Sequence, residues 1–220
     1  MYITLIFLGI IMATVIGWLL RQSLNTQPWV PNAEDDAVSG SSLSGTTKAV
    51  ALTVFLAVAT SVFALFVSAY TIRMEEPDWR PVAEPALLWI NTAVLILASI
   101  AYHWTRNAAV AGNQERIKPG LTASGVLTIL FLLGQLVAWQ QLNAAGYHLD
   151  SNVANAFFYL LTAVHGVHML GGLWVWARST MKVWTGAAAD SVRLSIELCT
   201  VYWHFLLLVW IVLFAMLLST

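Results

Sequence analysis

The sequence predicts an all-α integral membrane protein of six transmembrane helices, a leading helix followed by a bundle of five. Three observations carry that prediction. Hydrophobic residues make up 59% of the 220 and charged residues only 10%, with a mean hydropathy of +0.75, which is membrane-protein composition. Six stretches stay predominantly apolar for roughly 20 residues, the length needed to cross a hydrocarbon layer about 30 Å thick at a rise of about 1.5 Å per residue. The runs are also too long and too little alternating for barrel strands, and only helices and closed barrels satisfy their backbone in lipid.

The first span is expected at residues 2–20. No positively charged segment precedes it and its apolar run exceeds the core of a typical secretion signal, so it reads as a retained anchor. Residues 21–48 carry Glu34-Asp35-Asp36, Ser39-Gly40-Ser41-Ser42 and Ser44-Gly45, the composition of a flexible linker. The second span covers 49–72. Residues 73–85 then bring Pro77, Pro81 and Pro85 together with Glu75, Glu76, Asp78 and Glu84, an acidic turn that stops one helix and primes the next. The remaining spans fall at 86–104, 122–142, 153–177 and 194–218. The expected organisation is thus a leading helix at 1–20, a cytoplasmic linker at 21–48 and a five-helix core at 49–220. There is no internal repeat and no matched pair of interrupted helices of the kind that marks many transporters.

Lysine and arginine positions set the expected orientation. Arg21, Lys48, Arg106, Arg116, Lys118, Arg178, Lys182 and Arg193 fall in the first, third and fifth loops, whereas Arg73 and Arg80 fall on the other side. Eight against two places those three loops in the cytoplasm and both termini outside. The net charge of -1 offers no field for nucleic acid. Cys199 is the only cysteine, which excludes an internal disulfide, a Cys-rich metal site and a thiolate-bridged copper pair; its expected role is that of a small buried hydrophobe.

Ionisable side chains at membrane depth are few, and they are where chemistry would reside. His165 and His168 are three residues apart and share a helical face. His204 lies on the last span. Counted from the cytoplasmic ends, His168 and His204 fall about 14–15 Å deep and His165 about 18 Å. Neutral imidazole binds zinc, copper and iron, but a di-haem bundle needs axial ligands near both surfaces and a copper–haem site needs more histidines. Hydrogen bonding across helices is therefore the expected role. Glu197, seven residues before His204, is read either as a carboxylate in low dielectric that handles protons or packs, or as a first-turn acid that complements the helix N-terminus. Together His165, His168, Glu197 and His204 are expected to form a polar seam tying the last two helices. Gly166, Gly171 and Gly172 are expected to permit close helix approach. His103 and His148 read as interfacial residues, and Trp29, Trp79 and Trp104 as parts of aromatic belts.

These residues resemble a known family. The segment from Phe157-Phe158 to His165-Gly166-Val167-His168 is similar to the Phe-Phe…His-Gly-x-His helix of cytochrome oxidase subunit III. Glu197, Tyr202-Trp203-His204-Phe205 and Trp210 resemble its final helix, and Asn91-Thr92-Ala93-Val94-Leu95 resembles the Asn-Thr-x-x-Leu start of an earlier one. The similarity covers roughly residues 49–218. It implies a non-catalytic subunit of a haem-copper terminal oxidase in a bacterial-type cytoplasmic membrane. Such a subunit packs on oxidase subunit I alongside subunit II, binds phospholipid, supports proton uptake and protects the complex during turnover. The haem and copper reside in those partner subunits, and no cofactor is expected on this chain. Asn91, Gly166, Tyr202, Trp203, Phe205 and Trp210 are the motif residues expected to pack. The intramembrane glutamate usual in the family falls where Val58-Ala59 stand here, an aspartate common after Trp-His-Phe is Leu207, and familiar forms have five or seven helices rather than six. The same type of subunit also serves quinol oxidases and nitric oxide reductases. Readings from other classes, a haem-binding membrane electron carrier or a proton-coupled transporter, would need paired ligands at two depths or broken helices.

Overall fold

In the computed structural model the described residues are 39–82, 85–186 and 188–219, with side chains described from Thr47 onward except that of Asp190. Five helices follow one another, α1 Ser39–Arg73, α2 Leu87–Val110, α3 Gln114–Ala144, α4 Val153–Trp184 and α5 Ala189–Leu218. All five contain a stretch long and apolar enough to cross a membrane. The leading span expected at residues 2–20 lies outside the described residues.

Each helix matches one expected span, yet most run further. α2 continues six residues past Trp104, α3 starts eight residues before Thr122, and α4 continues seven residues past Ala177. The apolar run measures only the part of a helix that needs lipid, whereas the helix itself persists into the headgroup layer. There Arg106, Arg116, Lys118, Arg178 and Lys182 are carried on helical turns instead of in loops. α3 even passes through Pro119. The missing N–H leaves the Glu115 carbonyl without its helical donor, which costs least in the second turn, where water reaches the backbone.

Turn chemistry explains where the chain reverses. After α2, Gly112 adopts φ 68°, with Gly112 N–H donating to the Ala109 carbonyl and Asn113 N–H to that of Ala108. Asn113 then caps α3 by accepting from the Arg116 N–H. Gly146, at φ 87°, ends α3 by the same pairing, its neighbour Tyr147 donating to the Leu142 carbonyl. A left-handed glycine just past the last turn is how a helix satisfies its final carbonyls without steric cost. Asn152 caps α4, accepting from the Ala154 N–H, and its amide donates to the Arg80 carbonyl. The acidic turn is folded on itself: Arg73 donates to Asp78 at 2.5 Å, and that hydrogen bond holds the Asp78 carboxyl below its ordinary pKa.

The chain divides into two units near Thr71. The described part of the first is α1 alone. Within it, Thr60 and Ser61 donate to the carbonyls of Leu56 and Ala57, four residues back. The second unit is a four-helix bundle in which α2 packs on α3 and α5, and α4 packs on the same two. Its interior buries Leu95, Phe131, Phe158, Met169, Trp203 and Trp210, while Trp89, Leu133, Val167 and Trp174 face outward. Apolar side chains inside and outside alike are what lipid requires. At the end carrying the α2–α3 and α4–α5 turns, Ala108, Ile117, Leu121, Val183, Val192 and Ile196 close a second cluster.

Candidate functional site

Because lipid tails are as apolar as leucine, helices in a membrane are held by close packing and by hydrogen bonds between them. Polar and aromatic cross-links fill the interior of the bundle. His165, on α4, is 1% exposed. Its ring stands edge-on to Phe131 of α3 at 6.1 Å and tilted against Trp210 of α5 at 5.5 Å, and Phe131 and Trp210 meet edge to face at 5.0 Å. One imidazole and two aromatic rings thus join three helices. Trp210 reaches the fourth, since its indole N–H donates to Thr92 of α2 at 3.0 Å while the Thr92 hydroxyl donates to the Leu88 carbonyl.

Asn91, one residue earlier, donates to Gln135 of α3 at 3.2 Å with both side chains buried. The pair fits because Gly134 has no side chain: a Cβ there would come within 2.1 Å of the Asn91 Oδ1. On the α4–α5 side, Gly172 has the same part. A Cβ would stand 2.6 Å from the Tyr202 ring, and Tyr202, lying across this notch, donates its hydroxyl to the His168 carbonyl at 2.7 Å. Trp203 stacks on Tyr102 of α2 at 4.9 Å, and Thr200 reaches the Tyr102 carbonyl at 3.3 Å. Trp139 of α3 donates to Thr162 of α4 at 3.1 Å. Phe205 is half-buried.

The four residues expected as one seam between the last two helices take separate positions. His165 sits in the aromatic junction just described. The His168 ring bonds its own helix, through Nδ1 to the Val164 carbonyl at 2.8 Å. His204 turns to α2, its Nδ1 2.5 Å from the Ser99 hydroxyl and its ring 5.8 Å from that of His103. Helical geometry accounts for this: positions two apart lie about 200° apart around a helix, so with Tyr202 aimed at α4, His204 aims away from it. Glu197 accepts from Arg193 at 3.0 Å on the same helix. Since α5 begins at Ala189, Glu197 is about two turns in and is not a first-turn acid. α4 and α5 are joined by the Tyr202 hydroxyl on the His168 carbonyl and by the His165 ring against Trp210. Of the three glycines expected to permit close approach, Gly172 does so; a Cβ on Gly166 or Gly171 meets nothing within 4 Å among the described residues.

Sequence reading missed Thr92, Ser99, Gln135, Trp139 and Thr162 as cross-link residues. The signal is a hydroxyl, amide or indole side chain within an apolar run, which is weaker than that of an ionisable group because such side chains can also bond their own helix. Among the described residues, no three of His, Cys, Asp and Glu are grouped to hold a metal ion.

A stability difference follows from these positions. His204→Leu should lower the thermal midpoint of the purified chain in mild detergent by removing a contact worth about 0.6 to 2 kcal/mol. Glu197→Ala removes only a half-exposed i,i+4 ion pair and should cost about 0.5 kcal/mol or less. Equal midpoints for the two variants would contradict the assignment of His204 to the α2–α5 contact.

The model of the family described as cytochrome c oxidase subunit III matches residues 50–219. The chain is similar to a cytochrome c oxidase subunit 3 of Synechocystis sp., 29% identical over 170 residues that cover 73% of this chain and 70% of the other. It is 34% identical over 159 residues to a probable cytochrome c oxidase subunit 3 of Mycobacterium leprae, covering 68% and 76%. Against a cytochrome bo(3) ubiquinol oxidase subunit 3 of Buchnera aphidicola it is 30% identical over 128 residues, covering 57% and 61%.

Proposed function

This chain belongs to the cytochrome c oxidase subunit III family, and from that premise we propose that it is the supporting, non-catalytic subunit of a haem-copper terminal oxidase. The observation that carries the reading is the family match across residues 50–219, the span that contains every helix of the bundle. The bundle interior agrees with it, because its axis is filled by the contacts of His165, Phe131 and Trp210. Such a chain offers a rigid apolar body to subunit I in a complex that also contains subunit II, and it leaves haem and copper to them. Structural phospholipids cover the remaining apolar faces. The usual acidic group of α1 is replaced by Val58-Ala59, so any support of proton uptake operates by packing and solvent access.

The test is co-purification in mild detergent with a redox difference spectrum. A haem-containing complex in which this chain is stoichiometric is the expected result, and a chain that purifies alone, or with proteins free of haem, overturns the reading. A quinol-oxidising complex is the second reading, favoured by the similarity to the bo(3) subunit. Oxidation of quinol but not of reduced cytochrome c by the same preparation would select it.

The proposed topology has six spans, the leading helix at 2–20 included, in a bacterial-type cytoplasmic membrane with both termini outside. Single cysteines placed within residues 106–120, in a background with Cys199 replaced by alanine, should react with an impermeant thiol reagent only after the membrane is opened. Labelling in intact spheroplasts would reverse the orientation.

A further inference from the structure

We propose that a single buried water molecule is bound between α2, α3 and α5, held by Tyr102, Trp203, Ser124 and Thr128. The site goes beyond the reading of the chain as an oxidase subunit and does not depend on it.

The Tyr102 hydroxyl of α2 and the Trp203 indole N–H of α5 lie deep in the bundle, on side chains each 1% exposed. Neither makes a hydrogen bond to another described residue. A buried donor left unmade costs more than a made bond returns, so buried polar atoms are almost always satisfied, by protein or by water. These two cannot satisfy each other. Their rings stack at 4.9 Å with planes only 11° apart, and a donor lying near the plane of its own ring then points alongside its neighbour instead of at it. The other group beside the Trp203 N–H is the Cys199 thiol, a weak acceptor.

Acceptors come from α3. The Tyr102 hydroxyl faces Ser124 and Thr128, which are wholly buried and lie about one turn apart on the same side of their helix. Their own protons are committed: Ser124 donates to the Leu121 carbonyl at 3.0 Å and Thr128 to the Ser124 carbonyl at 2.9 Å. Each hydroxyl oxygen can still accept. Two donors and two acceptors from three helices therefore converge without pairing directly. That set is the complement of one water, which accepts from Tyr102 and Trp203 and donates to Ser124 and Thr128. Charge excludes ions as occupants. None of the side chains named here is a carboxylate or an imidazole to hold a cation, and none is a cation to offset a buried anion.

The same three helices close the site at both ends. Toward one end lie Ala108, Ile117, Leu121 and Ile196 of the apolar cluster. Toward the other lie buried Leu95 and the edge-to-face pair of Phe131 and Trp210. Water bound between these layers is a fixed part of the bundle that joins α2, α3 and α5, and not a step in a path to the surface.

The test is a density map of the purified complex, sharp enough to show ordered water. The expected result is a peak within about 3.2 Å of Tyr102 Oη, of Trp203 Nε1 and of at least one of Ser124 Oγ and Thr128 Oγ1. A Tyr102 hydroxyl bonded straight to Ser124 or Thr128, with no such peak, overturns the proposal. Tyr102→Phe reads the same point in solution, because it keeps the stacked ring and deletes only the hydroxyl. It should lower the thermal midpoint of the purified chain in mild detergent by about 2 to 4 °C, since the water loses one donor and Trp203 loses its hold on the water. An unchanged or raised midpoint would mean that the hydroxyl had no partner to lose, and would overturn the proposal equally. Failure of the oxidase reading would show up elsewhere, as co-purification without haem, while the map and the midpoint still reported on this site.

Discussion

Trp210→Ala is expected to produce the largest loss of stability of any single truncation in the bundle, about 3 to 5 kcal/mol. The side chain is wholly buried and joins all four helices of the bundle. It touches His165 of α4 and Phe131 of α3, stacks with Phe214 of its own helix at 6.3 Å, and donates to Thr92 of α2. Removing the indole leaves a cavity whose lining cannot collapse without moving helix axes, and in lipid the lost dispersion contacts are the main force holding the helices together. It also removes the donor to Thr92. Trp210→Phe separates the two effects, since it keeps most of the ring and loses only the hydrogen bond, and should cost about 1 kcal/mol. Thermal unfolding in detergent, followed by loss of the monodisperse peak, measures both. Similar midpoints for the unaltered chain and Trp210→Ala would show that the four helices are not joined through this ring.

Removal of the whole subunit should leave oxygen reduction initially active and make the oxidase short-lived. A catalytic subunit that keeps its haems and copper keeps its chemistry, so the initial rate at low pH is expected to fall only modestly. What disappears, on the proposed function, is packed surface together with the lipid and the proton-entry surroundings assigned there to the subunit. Activity should therefore decay faster over successive turnovers and decline more steeply as pH rises. With Val58-Ala59 in place of the usual glutamate, the pH effect should be the weaker of the two. The measurement is oxygen consumption over many turnovers after stripping, with haem content verified. An initial rate that vanishes while the haems remain would make this chain part of the catalytic machinery.

Sequence alone determined the features whose causes are local. A run of about 20 apolar residues crosses a membrane whatever its neighbours do, so five of the expected spans recur as helices; the sixth lies outside the described residues. Gly112, Asn113, Gly146 and Asn152 end and start helices by bonds to atoms within five residues of themselves, which is a local cause of the same kind, although none of the four was singled out from the sequence. Family membership was legible for the same reason, in short ordered motifs such as His165-Gly166-Val167-His168. Only the tertiary structure decided which partner each polar side chain meets. That depends on how every helix is rotated about its own axis and on which helices are neighbours, both set by the sum of many small packing contacts. Depth along the chain placed His165, His168 and His204 at one level, but depth carries no azimuth. The Gly172 notch draws Tyr202 to α4, and that rotation sends His204 to Ser99 on α2. Gly134 opens the space in which Asn91 finds Gln135, a pairing across 44 residues that no local pattern announces.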